Sequence, residues 1–221
     1  MIGNNEGLPG VKVDMQNYRT FFLSQNGGEW REEEIMEWLN PDKEDLVSEL
    51  EKIKADQLDY LIISFSGHGG QGRELVMELN GSDYLSESRL HNLATRQLNI
   101  FDCCRAYSPF LLEGVKNRLE LKAQSIYRTR EKYERRILQA APQMVRLYAC
   151  KEGEVAHDTS EGGAYSKNLI LAAIGSSEYT TVGAAHMRAA EQTVASHFDQ
   201  HPEADIPRLL TGQDLILGIR P

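Results

Sequence analysis

The run Asp59-Tyr60-Leu61-Ile62-Ile63-Ser64-Phe65-Ser66 constrains the fold more than any other stretch of the chain. It is nearly continuously apolar over the length of a strand, where a strand with one wet face would alternate. Such a strand is covered on both faces, and a parallel sheet with helices on either side supplies that cover. The run stops abruptly at Gly67-His68-Gly69-Gly70-Gln71-Gly72, which reads as a loop. Two further short buried runs follow, at 97–102 and 145–150, and helical patterns alternate with them. The reading is therefore α/β, with a mostly parallel central sheet flanked by helices.

The remaining elements fit one domain spanning 1–221. Val11, Met15, Tyr18 and Phe22 recur at helical spacing after Pro9-Gly10, and Asn26-Gly27-Gly28 ends that helix. A second helix starts after Asn40-Pro41-Asp42 and carries Leu46, Leu50 and Ile53 on one face. A short strand is expected at 74–79, a turn at Asn80-Gly81 leading to Tyr84, and a helix at 86–93. Between 110 and 142 lies a stretch rich in Arg, Lys and Glu. Leu112, Val115, Leu119, Ile126, Tyr133 and Ile137 form a helical stripe within it, so it reads as a charged, solvated helical insertion closed by Pro142. Helices at 165–174 and 184–198 and a last strand at 215–219 complete the pattern.

Composition excludes several classes. The 221 residues carry a net charge of −9, which argues against nucleic-acid binding, since that needs a basic face. The apolar run at 169–174 is far too short to span a bilayer, so no membrane partner is expected. The first residues, Met1 to Glu6, show neither the basic nor the apolar region of a signal peptide. Cys103, Cys104 and Cys150 cannot all pair internally, and two of them are adjacent. A reducing, cytoplasmic setting is expected.

Chemistry concentrates at the ends of the buried strands, where open α/β sheets place their sites. His68 follows one strand and Cys104 another. A cysteine nucleophile needs a thiolate, which a neighbouring imidazole can stabilise. Gly67 and Gly69 allow close backbone approach, and their amides can serve a developing oxyanion. On the residues alone, the pair reads equally well as a capping histidine and a buried structural cysteine. The string from Gly67 to Gly72 also fits G-x-G-x-x-G, which suggests a dinucleotide site. However, the residues after it are strand-like, so no helix N-terminus is on hand for a pyrophosphate.

Longer motifs resolve the choice. Ser64-Phe65-Ser66-Gly67-His68-Gly69 resembles the strand and loop around the catalytic histidine of caspase- and metacaspase-like peptidases. Asp102-Cys103-Cys104-Arg105-Ala106 resembles their nucleophile block. Leu8-Pro9-Gly10-Val11-Lys12-Val13-Asp14 resembles the entry to their first helix. Tyr148-Ala149-Cys150, followed by Glu154, Ala156, Asp158 and Gly163-Ala164-Tyr165-Ser166, resembles a metacaspase segment. The similarity covers about 2–104 and 145–219, in order, and lies closer to the metacaspase and prokaryotic branch.

This resemblance implies a caspase-like fold and a cysteine endopeptidase. Cys104 would be its nucleophile, His68 its acid and base, and the backbone amides of Gly69 and Cys104 its oxyanion donors. Cys103 falls on the variable middle position and is expected to face the other way. The positions that line the first specificity pocket are Asp14, Ser66 and Asp102, two carboxylates and a hydroxyl. These imply a protein or peptide substrate with Arg or Lys before the cut. The ordinary alternatives are a solvated acid in a helix's first turn for Asp14 and a capping residue for Asp102. Other specificities, or an inactive caspase-like interaction scaffold, are the competing readings.

The resemblance also admits a larger assembly or regulatory partner, and a dimer edge at 215–219. The family's first strand is expected to be missing or clipped, because the chain begins at Met1-Ile2. Metacaspases often need calcium held by clustered aspartates. Here acids such as Asp83, Asp158 and Glu161 are scattered, so no metal and no cofactor is expected. Finally, Arg118, Lys122, Arg128, Arg130, Lys132, Arg135 and Arg136 lie where family members carry an activation linker, which makes them candidate self-cleavage positions.

Overall fold

A computed structural model describes residues 1–107, 128–175 and 177–221. In chain order the elements are β1 (Ile2–Gly3), α1 (Gly10–Leu23), β2 (Trp38–Leu39), α2 (Lys43–Ala55) and β3 (Tyr60–Gly67). Then come β4 (Gly69–Gln71), β5 (Leu75–Glu78), β6 (Tyr84–Ser86) and β7 (Arg96–Cys103). After 127 follow α3 (Arg128–Gln139), β8 (Gln143–Tyr148), β9 (Asp158–Thr159), β10 (Gly162–Gly163) and α4 (Ala164–Ala173). The last are β11 (Tyr179–Thr181), α5 (Val182–Ser196), β12 (Glu203–Asp205) and β13 (Ile216–Ile219).

The central sheet has the order β12-β8-β7-β3-β1-β2 and is parallel except for β12. Its covering follows from the residue pattern of the inner strands. On β7, Leu98 and Ile100 point to one face, where α1, α4 and α5 bring Tyr18, Phe22, Tyr165, Leu169 and Ala185. Phe101 and Cys103 point to the other, where α2 and the β5–β6 hairpin bring Leu46, Leu50, Met77 and Leu85. Successive residues of a strand face opposite ways, so an apolar run feeds both layers at once.

The clipped first strand expected from the sequence has its counterpart in β1, two residues long and hydrogen-bonded between β2 and β3. The structure departs from the sequence-based expectations in two places. The helix expected at 86–93 is only a 3₁₀ turn at Glu87–Leu90. Its Leu90 carbonyl is taken by the buried amides of Gln97 and Asn99, so side chains replace the helical N–H donors. The last strand forms where expected, as β13, and pairs antiparallel with β11. Within 110–142, the described part is no loosely solvated helix.

That part, α3, is well anchored. Tyr133 and Ile137 are 2% and 3% exposed and pack with Ile216 and Ile219 of β13. The Glu29 carboxylate accepts from the backbone N–H of Thr129 and Arg130 and so caps the helix start. Arg130 pairs with Glu34 and Glu134, and Arg136 donates to the Asp214 carbonyl. Gly28 has a φ of 103° and faces the Tyr133 ring, where an added Cβ would stand 2.6 Å from ring carbon. Replacing Tyr133 by Ala should cost about 3 kcal/mol or more in urea unfolding, because it removes a large buried side chain. A loss below about 1 kcal/mol would show that α3 is only loosely held.

Candidate active site

The parallel register of β3 and β7 brings the two candidate dyad residues, His68 and Cys104, to one edge. Gly67 pairs with Cys103, so the next residues, His68 and Cys104, leave the sheet side by side. Neighbouring strands lie about 4.8 Å apart, so both side chains emerge at one edge. Cys103 is buried among the core residues, whereas Cys104 and His68 are partly exposed. Gly69 presses against the nucleophile block: a Cβ there would stand 2.7 Å from Cys103 Sγ and 2.9 Å from the Cys104 carbonyl oxygen. Only glycine fits so close an approach. The glycine string continues into the β4–β5 hairpin and not into a helix, which removes the dinucleotide reading.

His68 Nε2 lies 2.6 Å from the Glu6 carbonyl oxygen. A carbonyl only accepts, so Nε2 carries the hydrogen and the neutral ring keeps Nδ1 as its acceptor. Cys104 donates its thiol to the Ala156 carbonyl at 3.8 Å. Burial pushes this thiol above its ordinary value. Among the described residues no hydrogen bond joins His68 to Cys104. The roles of Glu6 and Ala156 carry no side-chain signature, because both act through the backbone.

Arg105 fixes the chain just beyond Cys104. Its guanidinium reaches Gln71, the Cys150 carbonyl, Glu152 and Glu203, and it stacks 4.3 Å above the Tyr148 ring. Its backbone N–H donates to the Glu154 carbonyl, and Gly153 donates back to the Arg105 carbonyl. The loop that carries Ala156 is thereby tied to the segment that carries Cys104.

Beside this pair the three pocket residues do converge. Ser66 donates its hydroxyl to Asp14 at 2.6 Å, and the Gly163 N–H donates to the other Asp14 oxygen at 2.8 Å. Asp102 accepts the Ser166 N–H at 2.9 Å and so caps the first turn of α4. Asp14 is 1% exposed and Asp102 6%. The sequence expectation for Asp14 as a solvated acid is therefore excluded, while the capping alternative for Asp102 is realised. Burial, and then the charge of Asp102, push the Asp14 carboxyl up to about 8. Burial also raises Asp102, against the Ser166 hydrogen bonds. Asp158, unassigned on sequence, accepts the Gly10 N–H and is within electrostatic reach of Asp14, Asp102 and His68. The β9–β10 ribbon lies over this acidic wall, where any side chain at Gly162 or Gly163 would overlap the carboxylates.

The sequence matches the peptidase C14 caspase domain over residues 1–210. The chain belongs to the caspase-domain family of cysteine peptidases. Its fold is similar to that of caspase-1 from Spodoptera frugiperda, with a TM-score of 0.62 and 12% identity over 96% of this chain and 82% of that one. No curated protein sequence matches it significantly. The caspase fold thus agrees with the sequence expectation of a mostly parallel, helix-flanked sheet. Among the described residues no helix is long and apolar enough to cross a membrane.

The raised Asp14 sets a sign for stability against pH. The unfolded carboxyl titrates near 4, so between about pH 4 and 8 the folded protein holds a proton that the unfolded chain has released. Stability from this group is complete below that window and falls as pH rises through it. In Asp14→Asn the unfolding free energy from urea titration should change less between pH 6 and 9, by on the order of 1–3 kcal/mol. An unchanged pH slope would show that Asp14 already ionises at neutral pH.

Proposed function

We propose that this caspase-domain protein is a cysteine endopeptidase that cuts after Arg or Lys, using Cys104 and His68 as a dyad. The observation that carries the proposal is the buried carboxylate pair, Asp14 and Asp102, walled in beside the strand ends that bear the dyad. A guanidinium entering between two carboxylates makes charge-assisted, bidentate bonds and offsets both the burial and the Asp102 repulsion that hold the Asp14 carboxyl up. An aspartate side chain would face the same wall as a like charge. In this reading the chain is of the metacaspase kind in its specificity.

The steps follow from the groups present. Substrate closes over Cys104, the Ala156 carbonyl gives up the thiol, and Nδ1 of His68 takes its proton. The thiolate attacks the carbonyl carbon of the scissile bond, and the backbone N–H groups of Gly69 and Cys104 hold the oxyanion. His68 then gives its proton to the leaving amine, and water, deprotonated by the same ring, hydrolyses the thioester. The Glu6 carbonyl keeps the ring in the tautomer this sequence needs.

Peptides that end in Arg or Lys before the cut should be hydrolysed, and Asp-ending peptides should not. Cys104→Ala and His68→Ala should abolish turnover, while Cys103→Ala, on the core side, keeps most of it. Asp102→Asn should cost more than Asp14→Asn, with losses of about 1.5–3 kcal/mol in kcat/KM for a lost charge-assisted pair. Efficient turnover of an Asp peptide, or a Cys103→Ala protein as inert as Cys104→Ala, would refute the assignment.

Self-processing belongs to the same proposal, with narrower limits than the sequence implied. Arg130, Lys132, Arg135 and Arg136 lie on the anchored α3, and Arg128 is its first residue. A protease needs an extended substrate, so these positions are poor sites while α3 is docked. Arg118 and Lys122 lie outside the described residues and precede α3, and they are the preferred cuts. Intact-mass spectra should show two fragments from wild type and one species from Cys104→Ala. A single 24.9 kDa species in fully active protein would exclude processing.

A further inference from the structure

Behind His68 stands an acid that neither the dyad nor the pocket uses. Gly69 pairs with Met77 across the β4–β5 hairpin, so the next antiparallel pair is His68 with Glu78. Their backbones are joined, since the Glu78 N–H donates to the His68 carbonyl at 3.0 Å. Residues directly opposed in an antiparallel pair share a face, with Cβ atoms about 4.5–5.5 Å apart. Leu75, Met77 and Leu79, each fully buried, alternate into the core. Glu78 therefore points the other way, to the side of the imidazole.

Glu78 is only 5% exposed. A buried carboxylate is costly unless a positive partner or donors compensate it. Among the described residues no Lys or Arg forms an ion pair with Glu78, and the charge that acts on it favourably is that of His68. Asn4, from the loop after β1, stands beside it. The other acids that face this corner are Glu6, whose carbonyl holds Nε2, and Asp158 from β9.

We propose that Glu78 is a positioning residue for the reaction: it stabilises the imidazolium that His68 becomes when Cys104 is ionised, and so favours the reactive ion pair. The inference rests on the dyad reading above. It gives the histidine two supports of different kind. The Glu6 carbonyl sets the tautomer through a directed bond, and the Glu78 carboxylate supplies charge from the neighbouring strand. An opposite charge on the facing position of a neighbouring strand favours the charged imidazole over the neutral one.

The test is the pH profile of kcat/KM on an arginyl peptide, with the rate of iodoacetamide labelling of Cys104 beside it. Glu78→Gln keeps the shape and removes the charge. Its alkaline limb should move to lower pH by about 0.5–1 unit, and labelling at pH 6 should slow severalfold. Glu78→Asp keeps the charge one methylene away and should leave the limb in place with activity within about threefold of wild type. Glu74→Gln removes a carboxylate on the same hairpin that bonds Ser88, and its profile should superimpose on wild type. An unmoved limb in Glu78→Gln, or equal losses in Gln and Asp variants without a shift, would overturn the proposal. If Glu78→Gln does not fold, a shifted limb or a loss beyond tenfold in Glu78→Asp would overturn it as well. His68→Ala separates the two readings. If that variant still turns over, the dyad itself fails. If it is inert while the Glu78→Gln limb stays put, only the role of Glu78 fails.

Discussion

The pairing of β3 with β7 is the constraint on which the site depends. Eight consecutive residues of one strand face eight of the other in parallel, from Tyr60 with Arg96 to Gly67 with Cys103. Because the register runs unbroken to the last pair, His68 and Cys104 leave the sheet at the same level. A slip by one residue would turn every side chain of a strand to the wrong face. The buried alternation of Leu98 and Ile100 against Phe101 and Cys103 penalises such a slip. The core therefore fixes the position of His68 and Cys104, and the glycines permit the close approach that follows from it.

The second organising feature is a cluster of acidic side chains gathered inside the protein. Asp14, Asp102 and Asp158 meet where the starts of α1 and α4 supply backbone N–H donors. Those donors and the helix dipoles offset part of the cost of burying acids. They do not remove it, as the raised Asp14 shows. The caspase fold supplies the sheet and the helix starts, and this chain's own acids set the chemistry of the corner between them.

Much of this was legible in the sequence because it is written in side-chain type and period. The apolar run before Gly67 marked the central strand, the spacing of Val11, Met15, Tyr18 and Phe22 marked α1, and Cys103 facing the core followed from strand alternation. The convergence of Asp14, Ser66 and Asp102 came from motif resemblance, and the geometry agrees with it. What the sequence hid acts through the backbone or through register. The Glu6 and Ala156 carbonyls carry no residue signature. Glu78 became visible only once the hairpin placed it opposite His68. The 3₁₀ turn replaced an expected helix because two buried amides took its carbonyl, a long-range contact that local propensity does not encode. The anchoring of α3 likewise depends on Glu29, about 100 residues away in sequence.

The central claim is that Cys104 is the nucleophile of a site that selects a basic side chain. Covalent capture by a peptidyl-arginine chloromethyl ketone, located by peptide mass mapping, tests it most directly. The account requires the adduct on Cys104 alone, its formation abolished in His68→Ala, and little labelling by the aspartyl counterpart at the same concentration. An adduct on Cys103 or Cys150, or equal labelling by the aspartyl reagent, would contradict it.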